Sequence, residues 1–291
     1  MGLRIKFNLV MVTAFVIGLV VATLLAREIT TEEAKRQVLN EATLIMRAGT
    51  AIRSYTQREI SPLLSEQMSV RFLPHSVPSW SAHTVLRQVQ KDFPDYSYKE
   101  AALNPTNPAD RAANWEADII AAFKHDGSLN EFVTTRDTPT GQFLTFARPF
   151  RLTDPGCLAC HSTPAAAPAT MIDLYGNGNG FGWVQGDVIG AQIVSVPMTL
   201  ALARATHSLL AFVAALSAVF LVMLVALNAL IHFFILKPIQ RITTMARDVS
   251  AGKPDVPEYP VRGRDEIASL GRSFNLMHRS LQNAMRMLES P

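Results

Sequence analysis

Two long apolar runs, residues 7–26 and 208–236, constrain this 291-residue chain more than any other feature. At about 1.5 Å of rise per residue, a helix of twenty residues matches a hydrocarbon core of roughly 30 Å. The first run is uncharged and follows Arg4 and Lys6. The second is interrupted only by Ser217, Asn228 and His232 and is closed by Lys237. A cleaved leader is the rival reading of the first run. That run exceeds the roughly 7 to 15 apolar residues of a leader, and Leu24-Leu25-Ala26 is a poor small-residue cleavage site, so we read an uncleaved anchor. Basic flanks at Arg4 and Lys6, and at Lys237, Arg241 and Arg247, place both termini in the cytoplasm and residues 27–207 outside. In a bacterium this is a two-pass inner-membrane protein with a periplasmic domain. His232 is either a functional intramembrane group or a residue near the cytoplasmic interface, and the second reading is adopted. The apolar content is 48% and the net charge only +3, with no basic arm. Nothing in that balance suggests a nucleic-acid partner.

Within the outer segment lies Cys157-Leu158-Ala159-Cys160-His161. Two thiols separated by two residues, with a histidine directly after the second, is the pattern of c-type haem attachment. Cys157 and Cys160 would bond the haem edge, and His161 would supply the proximal iron ligand. These are the only two cysteines, so no disulfide framework is available. Two other readings stay open. A structural zinc site wants four ligands, and only scattered histidines such as His75, His83 and His125 could complete one. A Cys-x-x-Cys disulfide needs no His161. One covalent haem c accounts for all three residues.

The outer segment reads as mixed α+β. Thr30 and Glu33 have capping-box spacing, and Val38, Ala42, Ile45, Gly49, Ile52 and Tyr55 recur with helical period, predicting a long helix leaving the membrane. Pro62 ends it or opens a new element. Residues 72–80, with Pro74 and Pro78, read as irregular, followed by a helix at 82–91 and Asn-Pro turns at 104–108. A helix at 109–123 is stopped by Gly127. Strands are expected at 131–135 and 143–149 around Pro139 and Gly141, and again at 181–184 and 188–196. The glycines at 176–180 lack the Lys-Ser/Thr of a phosphate loop and read as a loop beside haem or a plain hairpin turn.

Taken in order, Tyr98-Lys99-Glu100, Asn104-Pro105-Thr106-Asn107-Pro108, Trp115-Glu116, Ala147-Arg148-Pro149, the haem motif, Tyr175-Gly176 and Gly190-Ala191 resemble a family of PAS-like haem c domains. Members are known as a cyanobacterial haem protein and as periplasmic sensor modules of chemoreceptors and kinases. The resemblance covers roughly residues 29–198 and implies a PAS-like helix and antiparallel-sheet fold. Some relatives use a cysteine as second axial ligand, but both cysteines are already committed here. In the corresponding part of this chain, Met68 and His75 are the candidate distal ligands by chemical type, and water or an open position is the alternative to both. Arg148 and Arg151, just before the motif, are candidate partners of the haem propionates.

Beyond the second span, Ile239, Ile242, Ala246 and Val249 step by 3, 4 and 3 residues. A connector with Gly252, Pro254, Pro257 and Pro260 follows, and after Asp265-Glu266 the residues Ile267, Leu270, Phe274, Met277, Leu281, Ala284 and Leu288 repeat the alternation. Two heptad helices, an extended joint and an acidic start resemble a HAMP domain, which implies a parallel four-helix bundle in a homodimer. Amphipathic helices lying on the membrane surface are the alternative.

The expected organisation is a cytoplasmic N-terminus at 1–6, a span at 7–26, a periplasmic haem domain at 27–207, a span at 208–236 and HAMP at 237–291. This order suggests a non-enzymatic sensor of redox state or a small gaseous ligand. Because the sequence ends at Pro291, output is expected through a separate cytoplasmic protein. A membrane-tethered electron carrier is the rival. A haem enzyme would need acid/base groups, for which His83, His125 and Arg148 are the only candidates, selected by no spacing.

Overall fold

A computed structural model describes residues 2–253 and 256–289. Pro254 of the expected connector and the side chain of Leu288 lie outside the described residues. The chain divides into two compact units, one comprising Leu24–Leu209 and the other the chain up to Thr23 and from Leu210 onward.

In the Leu24–Leu209 unit, helix α1 (Leu3–Tyr55) buries Ala34, Val38, Ala42 and Met46, a four-residue step that keeps one face against the core. The expected capping box at Thr30 does not form. Helix α1 runs uninterrupted through that position, and the Thr30 hydroxyl donates back to the Arg27 carbonyl at 3.2 Å. Arg27-Glu28-Ile29 contains no breaker, so the helix arrives from the span already formed. A π turn, Thr56–Ile60, precedes α2 (Ser61–Met68). Pro62 would clash with the carbonyl four residues back, and the wider turn makes room for it. Pro62 thus opens a new element. Helix α3 (Pro78–Asp92) starts earlier than expected because Pro78 is already set for the first helical turn.

Four antiparallel strands form one sheet in the order β1-β4-β3-β2: β1 (Ser97–Ala102), β2 (Phe132–Thr138), β3 (Gly141–Arg151) and β4 (Val188–Pro197). Leu144, Phe146, Val194 and Val196 pack with α1 and α3. Ala147, Ala191 and Ile193 pack on the other face with Ile119, Ile120 and Phe123 of α4 (Asn114–His125). With both faces covered, β4 is buried from Gly190 to Val196 rather than alternating, Gln192 and Ser195 included.

Two expectations need correction. Strand β1 was not anticipated, because Tyr98-Lys99-Glu100 is too polar for a central-looking strand. Its charges are satisfied sideways: Lys99 donates to Glu116 of α4 at 2.7 Å, and Glu100 pairs with Arg53 of α1. The strand expected at 181–184 does not form. Gly180 and Gly182 have φ of +83° and +77°, a region that strands do not use. The amides of Gly182 and Trp183 donate to the carbonyls of Ser162 and His161 at 2.9 and 3.2 Å. That segment is bonded to the haem loop and not to a sheet edge.

The second unit contains the apolar parts of α1 and α7 (Thr199–Leu230), a π turn at Ile231–Leu236 that includes His232, and helices α8 (Lys237–Ser250) and α9 (Glu266–Glu289). Helices α1 and α7 are each long and apolar enough to cross a membrane. The carboxamides of Asn8 and Asn228 donate to each other at 3.0 and 2.8 Å, and the rings of Phe15 and Phe220 stack at 3.7 Å. Between α8 and α9, Ile242, Met245 and Phe274 form a small core with Val249, Val256 and Tyr259. The Asn275 carboxamide pairs with both backbone groups of Tyr259 at 2.9 Å, fixing the connector to α9. Leu270, Met277 and Leu281 of the same heptad seam stay 45%, 56% and 43% exposed.

Candidate functional site

The haem motif begins where Asp154 caps a tight turn. Its carboxylate accepts from the Gly156 amide at 2.7 Å, and its carbonyl accepts from the Cys157 amide at 3.2 Å. Cys157 ends the turn and α5 (Leu158–His161) completes one helical turn. Residues 157, 160 and 161 stand at i, i+3 and i+4, so a helix places both thiols and the imidazole on one face. Both cysteines are free and half-buried, and burial raises both thiols above the usual range.

His161 is held in one tautomer. Its Nδ1 lies 2.7 Å from the Gly180 carbonyl oxygen, which can only accept, so Nδ1 carries the proton and Nε2 keeps its lone pair. Burial lowers the imidazole pKa, which favours the neutral form that a metal requires. The indole of Trp183 stacks on the ring at 3.9 Å and 12°. Gly180 is the residue that allows this. Besides its positive φ, any Cβ there would sit 2.9 Å from the Thr106 backbone nitrogen. Nothing larger than glycine can present that carbonyl without moving Thr106.

Cys157 lines a cavity of about 940 Å3, near the upper end of the usual range for ligand sites. Arg53, Arg58, Arg148, Arg151, Phe150 and Asp154 share its wall, whereas Cys160 and His161 do not. The Gln57 amide donates to the Asp154 carboxylate, tying the π turn after α1 to the loop that carries Cys157. Arg148 donates to Glu131 through Nε at 3.2 Å and Nη2 at 2.6 Å. Arg151 donates to the carbonyls of Gly127 and Leu129 at 2.8 and 3.3 Å.

A buried polar chain lies behind Arg53. Glu100 accepts from Arg53 and, at 2.6 Å, from the Tyr98 hydroxyl, which in turn accepts from Gln192 at 3.1 Å. Burial pushes the Glu100 carboxyl up, but the Arg53 charge and the Tyr98 hydrogen bond outweigh it and hold the carboxyl below its ordinary value. The Tyr98 hydroxyl is pushed up by the same burial and by the neighbouring carboxylate. His83 accepts at Nε2 from the Glu100 amide at 3.2 Å, so it stands in this structural chain. His125 ends α4.

Met68 and His75 have partners of their own. The Met68 sulfur accepts from the Leu73 amide at 3.2 Å and the Ser76 hydroxyl at 3.4 Å, and His75 packs on Trp80 at 4.6 Å. Neither lines the cavity that takes Cys157. Among the described residues no group of three or more His, Cys, Asp or Glu side chains is placed to hold a metal ion, and the zinc reading needs such a group. Two free thiols and an imidazole with an available Nε2, on one helical face beside an arginine-rich cavity, fit the donor set of a covalent haem. Gly180, Trp183, Arg53, Gln57 and Arg58 were not singled out from the sequence. Only Gly180 left a trace, as the end of a glycine run that reads as a loop beside haem or a plain hairpin turn, while Trp183 fell in the expected strand at 181–184.

Residues 31–197 match the family described as Tll0287-like, and residues 230–283 match the HAMP domain. The crystal structure of the cyanobacterial heme-protein Tll0287 is similar at 17% identity, covering 55% of this chain and 94% of that one, with a TM-score of 0.44. No curated protein matches.

Proposed function

This chain belongs to the Tll0287-like family and carries a HAMP domain, and on that footing we propose that it is a membrane-bound haem c sensor. In this reading a PAS-like domain in the bacterial periplasm responds to redox state or a small ligand. A cytoplasmic HAMP homodimer passes the change to a separate output protein. The observation that carries the proposal is the haem loop: Cys157, Cys160 and His161 on one helical face, with His161 Nδ1 engaged by Gly180 so that Nε2 is available.

Cys157 and Cys160 would hold the haem covalently and His161 would bind the iron, with Met68 and His75 as candidates for a second iron ligand and arginines of the cavity wall beside Cys157 as partners for the propionates. When bound, the haem supplies an iron centre that changes oxidation state and takes small ligands. The chain's own residues give that centre a route outward. Asp154 shapes the Cys157 turn, Gln57 grips Asp154, and Gln57 lies in the π turn that follows α1, whose N-terminal part is the first apolar run. Any shift of the loop therefore acts on the end of a long helix. Coupling of this kind requires that the two haem states favour different arrangements of that helix. Leu270, Met277 and Leu281 of the α9 seam are exposed in a single chain, which supports a second copy as their cover.

Protein extracted from membranes is expected to give a c-type reduced spectrum that shifts with carbon monoxide or nitric oxide. A preparation with no haem band would overturn the reading. A haem band unmoved by either gas would confine the signal to redox change.

A further inference from the structure

Four guanidinium groups, Arg53, Arg58, Arg148 and Arg151, line the cavity beside Cys157. Two are neutralised within the protein, Arg53 by Glu100 and Arg148 by Glu131. Arg151 is oriented by two backbone carbonyls, which fix its position without cancelling its charge. Arg58 is exposed and has neither a hydrogen bond nor an ion pair among the described residues. The acid on the same wall, Asp154, is already bonded to the Gln57 amide and the Gly156 N–H. The cavity therefore presents two cations without a carboxylate partner, Arg58 and Arg151.

Arg58 reaches this wall by helix geometry. Thr50, Arg53, Ser54, Gln57 and Arg58 all line the cavity, and their spacing of i, i+3, i+4, i+7 and i+8 is that of one helical face. The attachment loop stands on the same cavity through Cys157. A ligand anchored at Cys157 and bearing two carboxylates would find two free guanidiniums, and arginine meets a carboxylate with two parallel N–H donors.

We propose that Arg58 and Arg151, and not Arg148, receive the two haem carboxylates, with Arg58 as the contact between the cofactor and the α1 side of the domain. This inference rests on the haem reading given above. It replaces Arg148 by a residue that sequence proximity to the motif did not suggest. It also gives the helix a second grip on the site, through charge, beside the Gln57 bond to Asp154.

The test is the haem midpoint potential of the full-length protein in detergent, measured spectroelectrochemically. Reduction adds one electron to the haem, so a nearby cation favours the reduced form. Arg58→Gln and Arg151→Gln are expected to move the potential negative, Arg148→Gln to leave it in place, and Arg58→Lys to keep most of the wild-type value. Arg58 is exposed, so Arg58→Gln is expected to retain wild-type haem content. Haem present with the Arg58→Gln potential unmoved would overturn this inference alone, as would a shift confined to Arg148→Gln. Absence of covalent haem from the unaltered protein would overturn the functional reading and this inference with it.

Discussion

The Cys157→Ser, Cys160→Ser variant is expected to carry no haem that survives denaturing electrophoresis. Thioether bonds withstand denaturation, whereas a haem held only by ligation and packing is released, so the stain reads covalent attachment directly. The two thiols are free and share a helical face with His161. Restoring one cysteine is expected to restore part of the stain. His161→Ala is expected to keep stain while changing the spectrum, since attachment and ligation belong to different residues of the motif. The turn should survive these changes, because its backbone is held by Asp154 on one side and by Gly182 and Trp183 on the other. Equal stain in the double serine variant would remove the basis for reading this motif as haem attachment.

The second large effect is expected at the other end of the chain. Phe274 is 5% exposed and packs with Ile242 and Met245. Phe274→Asp removes a side chain whose truncation alone typically costs about 3–5 kcal/mol, and it buries a carboxylate among apolar side chains, which adds several kcal/mol. Phe274 is one of three buried side chains at the centre of the α8–α9 core, so dimerisation in native membranes and downstream output should both fall to background. Haem content should stay normal, since the Leu24–Leu209 unit has its own two-sided core. Cross-linking in membranes together with haem stain checks both halves. Intact dimers in Phe274→Asp would contradict the HAMP account.

What could be read from the sequence was what is local in it. The Cys-x-x-Cys-His motif is five consecutive residues, each apolar run is one stretch of sequence, and the heptads of α8 and α9 repeat within one helix each. These survive translation into structure because the chemistry depends on near neighbours. What could not be read depends on partners far along the chain. Strand β1 is held by Lys99 to Glu116 and Glu100 to Arg53, pairs that no local pattern announces. His161 takes its tautomer from Gly180 and its stacking from Trp183, about twenty residues on, where the sequence reads a glycine turn followed by a strand. Arg148 lies near the motif in sequence but is engaged by Glu131, whereas Arg58, nearly a hundred residues before the motif, stands on the same cavity as Cys157. Met68 and His75 have the chemistry of iron ligands, and their side chains are turned to Leu73, Ser76 and Trp80.

The central claim is that the state of the haem reaches the HAMP helices. Leu281 lies on the exposed part of the α9 seam, so Leu281→Cys offers a site for a bifunctional maleimide between two copies. Cross-linking of this variant in native membranes, with the haem domain poised oxidised or reduced, tests the claim most directly. The account predicts different cross-linking rates in the two states, and no difference when Cys157→Ser and Cys160→Ser are added. Identical rates in both states of the haem-loaded protein would contradict it.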